Sequence, residues 1–254
     1  MTAPDQRVAS AARARAAALV FVADLDRVAL QESDVHHLDR VLRLRAGQPV
    51  TASDGNGSWR SCVVPVGGLA AAGGRLEVVG DIAVDPAPSA PFGVAFALTK
   101  GEKPELVVQK LTELGAARII VFAAEHSVAR WDELKAARNL DRLRSVAREA
   151  AMQSRRSRLP IVEQLADFAR VAEQPGLAIA DLDGSAPGIE LRLVAIGPEG
   201  GWSKAERTLA RDRGVPFVSF GSNVLRAETA AIAAAAICGA MRSGVVSPSR
   251  TCGD

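Results

Sequence analysis

The sequence predicts a two-part α/β chain, a small β-barrel followed by a larger domain with a mostly parallel sheet, and three observations carry this. Short β-like runs recur between residues 19 and 85, separated by Gly and Asp turns. Asp85-Pro86-Ala87-Pro88-Ser89-Ala90-Pro91 then places three prolines in seven residues, which resists helix and interior strand and favours an extended spacer. Beyond it, apolar runs alternate with helical periodicity up to residue 241, an order that builds a parallel sheet covered by helices.

In the first part the strand-like runs are residues 19–22, 49–52, 61–64 and 76–79. Asp54-Gly55-Asn56-Gly57 lies between two of them and reads as a tight hairpin, because its residues tolerate positive φ. A phosphate-binding glycine loop is disfavoured there, since Arg60 stands where the third glycine would be. Residues 34–45 have apolar positions at 38, 41, 42 and 44 and basic ones at 40, 43 and 45, a short helix or turn with a basic, solvated face. His36 and His37 have no third ligand nearby, so no metal is expected.

In the second part, residues 92–98 are expected as a strand, 105–114 as a helix ended by Gly115, and 118–123 as a second strand. Helices near 132–154 and 163–173 follow, then strands at 176–182 and 191–196, a helix at 204–213, a strand at 215–220 and a last helix to about 241. Residues 142–158 carry Arg142, Arg144, Arg148, Arg155, Arg156 and Arg158 against Glu149 alone. Such a run is either an exposed helix balanced by acidic neighbours or a surface that tracks phosphates without reading bases. Lys100, Lys103 and Lys110 stand to extend it.

Composition narrows the function classes. A chain of 254 residues with 48% hydrophobic and 24% charged residues can bury a full core. Lys and Arg number 31 against 29 Asp and Glu, so nucleic-acid affinity must come from local clustering. Cys62, Cys238 and Cys252 are scattered and form no CxxC, pointing to a reducing compartment without a metal site. No run has the length of a membrane span and none of the first residues has signal-peptide character, so the expected location is the cytoplasm. There is no GxSxG, no GxxxxGK[ST] and no HExxH, which leaves hydrolase and P-loop chemistry without support.

What remains is a pair of turns. Gly197-Pro198-Glu199-Gly200-Gly201 follows the apolar run 191–196, and Leu225-Arg226-Ala227-Glu228-Thr229-Ala230 opens an alanine-rich run. Each reads as a strand that stops in a tight turn and hands over to a helix, where backbone can grip a ligand. Ser203 and Glu206 have the spacing of a capping box, which a simple strand-to-helix turn would also use.

Six segments carry a family resemblance: His37-Leu38-Asp39-Arg40-Val41-Leu42-Arg43, Thr99-Lys100-Gly101-Glu102-Lys103, Gln109-Lys110-Leu111-Thr112-Glu113-Leu114-Gly115, Gln153-Ser154-Arg155-Arg156-Ser157-Arg158, Ile196-Gly197-Pro198-Glu199-Gly200-Gly201 and Val224-Leu225-Arg226-Ala227-Glu228-Thr229-Ala230. In this order they resemble the RsmE family of bacterial 16S ribosomal RNA uracil-N3 methyltransferases, part of the SPOUT superfamily. The likeness runs from about residue 19 to residue 241. His126, where arginine is usual, and Met152, where glutamate is common, depart from the pattern.

The resemblance implies a PUA-like β-barrel at 19–87 and a SPOUT α/β methyltransferase domain with a C-terminal trefoil knot at 88–245; the segment 1–18 has no counterpart in it and is expected as a disordered extension, with 246–254 as a flexible tail. It implies S-adenosylmethionine as cofactor, 16S ribosomal RNA in the 30S subunit as substrate, and a homodimer without metal or membrane. Carried onto this chain, the cofactor residues are Ile196, Gly197, Pro198, Glu199, Gly200, Gly201, Gly221, Val224, Leu225, Arg226, Thr229 and Ala230. The RNA residues are His37, Arg40, Arg43, Arg45, Lys100, Lys103, Arg148, Arg155, Arg156 and Arg158. Arg13 and Arg15 in the extension are further candidates for touching RNA.

The imide N–H of uracil is weakly acidic, so methylation at N3 needs a proton acceptor or a stabiliser of the uracil anion. Arg226 is preferred as the stabiliser, and Glu199 or Glu228 as base is left open. Two other readings keep their place: another SPOUT enzyme acting on ribose or transfer RNA, and a non-catalytic RNA-binding assembly factor without a cofactor pocket.

Overall fold

The computed structural model describes residues 13, 15–101 and 103–246, and the chain divides into two units, Met1–Pro88 with Arg148–Leu159, and Ser89–Ala147 with Pro160–Asp254. Of the expected N-terminal extension, residues 1–12 and 14 lie outside the described residues, as does the tail from 247 onward.

In the first unit, β1 (Ala18–Phe21) pairs in parallel with β2 (Pro49–Ser53), and β2 is antiparallel to β3 (Ser58–Val63). β3 in turn pairs with the two-residue strands β4 (Glu77–Val78) and β5 (Ala83–Val84). Between β2 and β3 the expected hairpin forms. Gly55 and Gly57 take φ of +77° and +101°, and Asp54 Oδ1 accepts from the backbone N–H of Asn56 and Ser58 at 2.7 and 3.0 Å. Val20, Leu38, Val50, Ala52, Cys62 and Leu69 form the core. Helix α1 (Glu32–His36) runs into a π-helical stretch, His37–Val41, that buries Leu38 completely and leaves His37 and Arg40 exposed. The strand at 83–84 and a four-residue helix, α2 (Gly68–Ala71), have no counterpart in the sequence reading; both are too short to show a period.

The second unit is built on a seven-stranded sheet of order β12-β10-β11-β6-β7-β8, with β9 also on β7 and every pair parallel. The strands are β6 (Gly93–Ala97), β7 (Arg118–Ala123), β8 (Ile161–Val162), β9 (Ala166–Asp167), β10 (Leu177–Ser185), β11 (Leu193–Ile196) and β12 (Phe217–Val218). Val94, Phe96, Ile119, Val121, Val194 and Ile196 enter one core, while Ala95, Ala97, Ile120, Phe122, Leu193 and Ala195 enter another. Successive side chains point to opposite faces, so a strand buried on both sides reads as a continuous apolar run.

The helices are α3 (Lys103–Glu113), α4 (Glu133–Gln153), α5 (Phe168–Val171), α6 (Lys204–Asp212) and α7 (Ala227–Arg242). Ala231, Ala234, Ala235 and Cys238 of α7 are buried in the first of these cores. The expected helix over 163–173 is corrected to strand β9 followed by the four-residue α5, whose N-cap Asp167 accepts from Arg170 N–H. Pairing with β7 competes with local helix propensity there and wins.

Candidate active site at the strand ends

β11 and β12 stop on either side of β10, and the loops at their carboxyl ends, with the middle of β10, line a cavity of about 300 Å³. Crevices of this kind are where open parallel sheets bind ligands. Ala180, Asp181 and Leu182 of β10 form one wall. Ile196 with the turn Gly197, Pro198, Glu199 and Gly201 forms a second, and Ser219–Gly221 and Asn223–Leu225 with Ala227 and Ala230 close the third.

The turn is held rigidly. Gly201 takes φ +70° and its N–H bonds Pro198 O at 2.9 Å. Ser203 caps α6 and the expected capping box with Glu206 is present; Glu206 also accepts Glu125 N–H at 2.9 Å. Trp202 is buried, donates from Nε1 to Ala180 O at 3.0 Å and lies parallel to Phe122 with centroids 6.0 Å apart. A Cβ on Gly197 would meet that indole at 2.9 Å, so the turn fits against Trp202 only with glycine at this position. His126 Nδ1 lies 3.2 and 3.1 Å from the carbonyl oxygens of Gly200 and Gly201, tying them to the segment after β7. Met152, the other departure from the family pattern, has its Sδ 3.3 Å from Arg148 Nη1.

The structure brings most of the cofactor residues expected from sequence to this cavity, but Gly200, Arg226 and Thr229 do not line it. Gly200 faces His126, and Arg226 and Thr229 are exposed at the start of α7. Sequence reasoning missed Ala180, Asp181, Leu182, Trp202, Arg207, Ser219 and Phe220, while Asn223 and Ala227 lie within the expected second loop. The carboxyl end of the strand expected at 176–182 was a usable signal for the first three. The others depend on which loops meet.

Beside the turn, Lys103 Nζ lies 2.9 Å from Glu199 Oε1 and 3.5 Å from Glu228 Oε2. Lys103, expected on the RNA surface, is thus paired with both candidate bases. The hydrogen bond from Lys103 holds the Glu199 carboxyl below its usual range, and the same bond raises the Lys103 ammonium above its own. Arg226, the N-cap residue of α7, has an exposed guanidinium with no hydrogen bond or ion pair among the described residues.

The basic residues separate into two groups. His37, Arg40, Arg43 and Arg45 are exposed in the first unit, and Lys100 is exposed in the second. The arginines from 148 onward do not form the open phosphate-tracking face considered from sequence. Arg148 pairs with buried Asp34 through two bonds of 2.9 and 2.6 Å and donates to Phe21 O at 3.2 Å. Arg155 donates to Ala17 O, Arg158 to Asn56 O and Asp85 O, and burial pulls the Arg156 guanidinium down to about 10. The guanidiniums of Arg148, Arg155 and Arg158 satisfy backbone carbonyls and a buried carboxylate inside the first unit, which local spacing cannot show. Arg13 likewise pairs with Asp85 and lies 5.7 Å over the Trp59 ring, while Arg15 is exposed.

Residues 86–239 match the model of an RNA methyltransferase domain, and residues 30–65 that of an RNA methyltransferase PUA domain. The chain is 33% identical over 236 residues to ribosomal RNA small subunit methyltransferase E of Mycobacterium bovis, covering 87% of this chain and 89% of that one. Against the protein of the same name from Synechocystis it is 31% identical over 219 residues, 80% and 69% of the two chains. The crystal structure of ribosomal RNA small subunit methyltransferase E from Neisseria gonorrhoeae bound to S-adenosyl methionine superposes with a TM-score of 0.75 at 25% identity, covering 89% and 97%. Fold and pocket together define an RNA methyltransferase of SPOUT type carrying a PUA domain. Within that class, the chain belongs to the ribosomal RNA small subunit methyltransferase E family.

No helix among the described residues is long and apolar enough to cross a membrane, and no group of three His, Cys, Asp or Glu among them is placed to hold a metal.

Proposed function

We propose that the chain transfers a methyl group from S-adenosylmethionine to N3 of a uridine in 16S ribosomal RNA. The observation that carries this is the cavity at the ends of β11 and β12, beside the middle of β10, walled by the two turns the sequence singles out. Its residues fit the donor: a volume of about 300 Å³ is at the lower end of small-molecule sites. Ile196, Phe220, Leu225 and Ala230 offer apolar surface for a base, and Asp181 and Asn223 offer polar groups. Gly197 and Gly201 let backbone approach closely.

Bound there, S-adenosylmethionine supplies a sulfonium-activated methyl for in-line displacement. Arg226 is the free cation at the rim and stabilises the negative charge that develops on the uracil ring. Glu199, held ionised by Lys103, is a poor proton acceptor, so the imide proton leaves to solvent water, the resulting uracil anion is stabilised electrostatically, and its N3 takes the methyl as the donor's thioether departs. Lys103 fixes Glu199 and Glu228 in place, the latter in the first turn of α7 where negative charge is favoured.

His37, Arg40, Arg43 and Arg45 form the RNA-holding face of a PUA-like domain spanning 19–87. Leu182 and Val224, 47% and 86% exposed at the donor cavity, are apolar surfaces that a second copy covers in a homodimer. A 16S RNA substrate places the reaction in the cytoplasm.

Reverse-transcription stop mapping of 16S RNA tests the assignment, because an N3 methyl blocks the Watson–Crick edge. One uridine-specific stop should vanish when the gene is deleted. A methyl located by mass spectrometry on a ribose or on transfer RNA would overturn the assignment. Absence of donor binding in calorimetry at millimolar ligand would favour a non-catalytic factor.

A further inference from the structure

A second cavity of the same unit, about 440 Å³, shares no lining residue with the donor pocket. It lies past the carboxyl end of β6, between the loop after that strand, the start of α3, the segment 128–131 and α4. Lys100, Arg130, Lys135 and Arg142 line it, and the one carboxylate in the lining, Glu105, is paired with Arg142 at 3.1 Å. Four cations less one anion leave an excess of three positive charges around a space of ligand size.

Two further features mark it as more than a solvated basic surface. Trp131 contributes a half-buried indole and Asn139 an amide, the means by which proteins hold a nucleobase. Thr99 is buried, and its hydroxyl has no hydrogen-bond partner among the described residues; nor has Glu105 Oε2. An unsatisfied buried hydroxyl costs stability unless a ligand completes it.

We infer that this cavity binds a phosphorylated nucleotide of the RNA substrate, its phosphate among Lys100, Arg130, Lys135 and Arg142 and its base against Trp131. The inference rests on the methyl-transfer reading and adds to it the place where the second unit grips RNA. The short connection after β6 serves both sites. Thr99, Lys100 and Gly101 face the second cavity, while Lys103 reaches Glu199 in the wall of the donor pocket. A nucleotide held here is therefore coupled through a few residues of backbone to the turn that shapes the donor site.

The test uses the full chain and three probes: S-adenosylhomocysteine by calorimetry, in vitro transcribed 16S RNA by filter binding across salt concentrations, and uridine monophosphate by tryptophan fluorescence. In the double variant Arg130→Ala, Lys135→Ala, RNA affinity should fall about tenfold or more, with the slope of log K against log salt reduced by about 1.5. S-adenosylhomocysteine affinity should stay within about twofold, and quenching by uridine monophosphate should be lost. Thr99→Val keeps the shape and removes the orphan hydroxyl; it should weaken RNA binding about threefold without lowering Tm, an outcome that a packing role would not produce.

An unchanged RNA affinity and salt slope in the double variant would overturn the inference. So would loss of uridine monophosphate binding with RNA binding intact, which would assign the cavity to a free nucleotide. If the double variant also loses S-adenosylhomocysteine, the milder Arg130→Gln replaces it under the same criteria. Failure of the wild-type protein to bind S-adenosylhomocysteine sinks the methyl-transfer reading instead, a separable result.

Discussion

Replacing Gly197 by alanine tests whether the first turn shapes the donor pocket through Trp202. The added methyl would sit 2.9 Å from the indole, so roughly half an ångström of movement is needed to restore ordinary contact. The indole has nowhere easy to go. Nε1 is bonded to Ala180 O at 3.0 Å, one face lies parallel to Phe122, and Phe168 packs at 5.0 Å with a tilt of 49°. Overpacking of this kind costs about 1–3 kcal/mol, which for a chain of this size lowers Tm by about 2–12 °C. Because Trp202 and Ala180 both line the cavity, S-adenosylhomocysteine affinity should fall about tenfold, equivalent to about 1.4 kcal/mol. Gly221→Ala is the control, since nothing lies within 4 Å of its added methyl and its φ is unremarkable; its stability should stay within about 0.5 kcal/mol of wild type. Differential scanning fluorimetry and calorimetry read both quantities. A Gly197→Ala protein with unchanged Tm and donor affinity, or a Gly221→Ala protein equally destabilised, would refute the reasoning.

Arg226→Ala should lower methyl transfer to undermethylated 30S subunits by about 10²–10³-fold while S-adenosylhomocysteine binding is kept; near-normal transfer would remove Arg226 from the mechanism. Asp34→Ala leaves Arg148 without its carboxylate at a site where Asp34 is only 4% exposed, and should cost about 3 kcal/mol in urea unfolding. For the Lys103–Glu199 pair the lowered Glu199 carboxyl gives stability fully present above 4.5 and lost as pH falls from there through its lowered folded value, and the raised Lys103 ammonium gives stability fully present below 10.5 and lost as pH rises through its raised folded value. The change in Tm caused by Glu199→Gln should therefore be constant between pH 4.5 and 10.5 and shrink below that range; a transition near neutrality would contradict the pairing. Cys62, whose thiol burial pushes up to about 11, should resist iodoacetamide in the native protein and react in urea, as read by peptide mass spectrometry.

Where one segment carries its own period, sequence and structure agree closely. The strand expected at 118–123 is β7, and the helix expected at 204–213 is α6 with the Ser203–Glu206 capping box in place. Disagreement comes where a partner far along the chain decides. Residues 166–167 pair with β7 instead of starting a helix, and β12 keeps only Phe217 and Val218 of the expected six-residue run. The active site shows the same division. Both turns were visible as glycine and polar punctuation after apolar runs, but the wall from Ala180 to Leu182 and the indole of Trp202 enter only because β10 lies beside β11.

By itself the sequence determined the strand and helix alternation beyond residue 91, the hairpin at residues 54–57, the two turns and, through six matching segments, the family; that residues 148–159 fold with the first unit lay outside it. These depend on local backbone preference and on motif identity, both written in consecutive residues. Tertiary structure decided the use of the charges. Arg148 meets Asp34 across 114 positions, Lys103 meets Glu199 across 96, and the cations around the second cavity converge from the loop after β6, the segment before α4 and α4 itself. Charge acts through space, at distances of a few ångströms, so an arginine tied into a fold and one open to RNA look the same until the chain is folded.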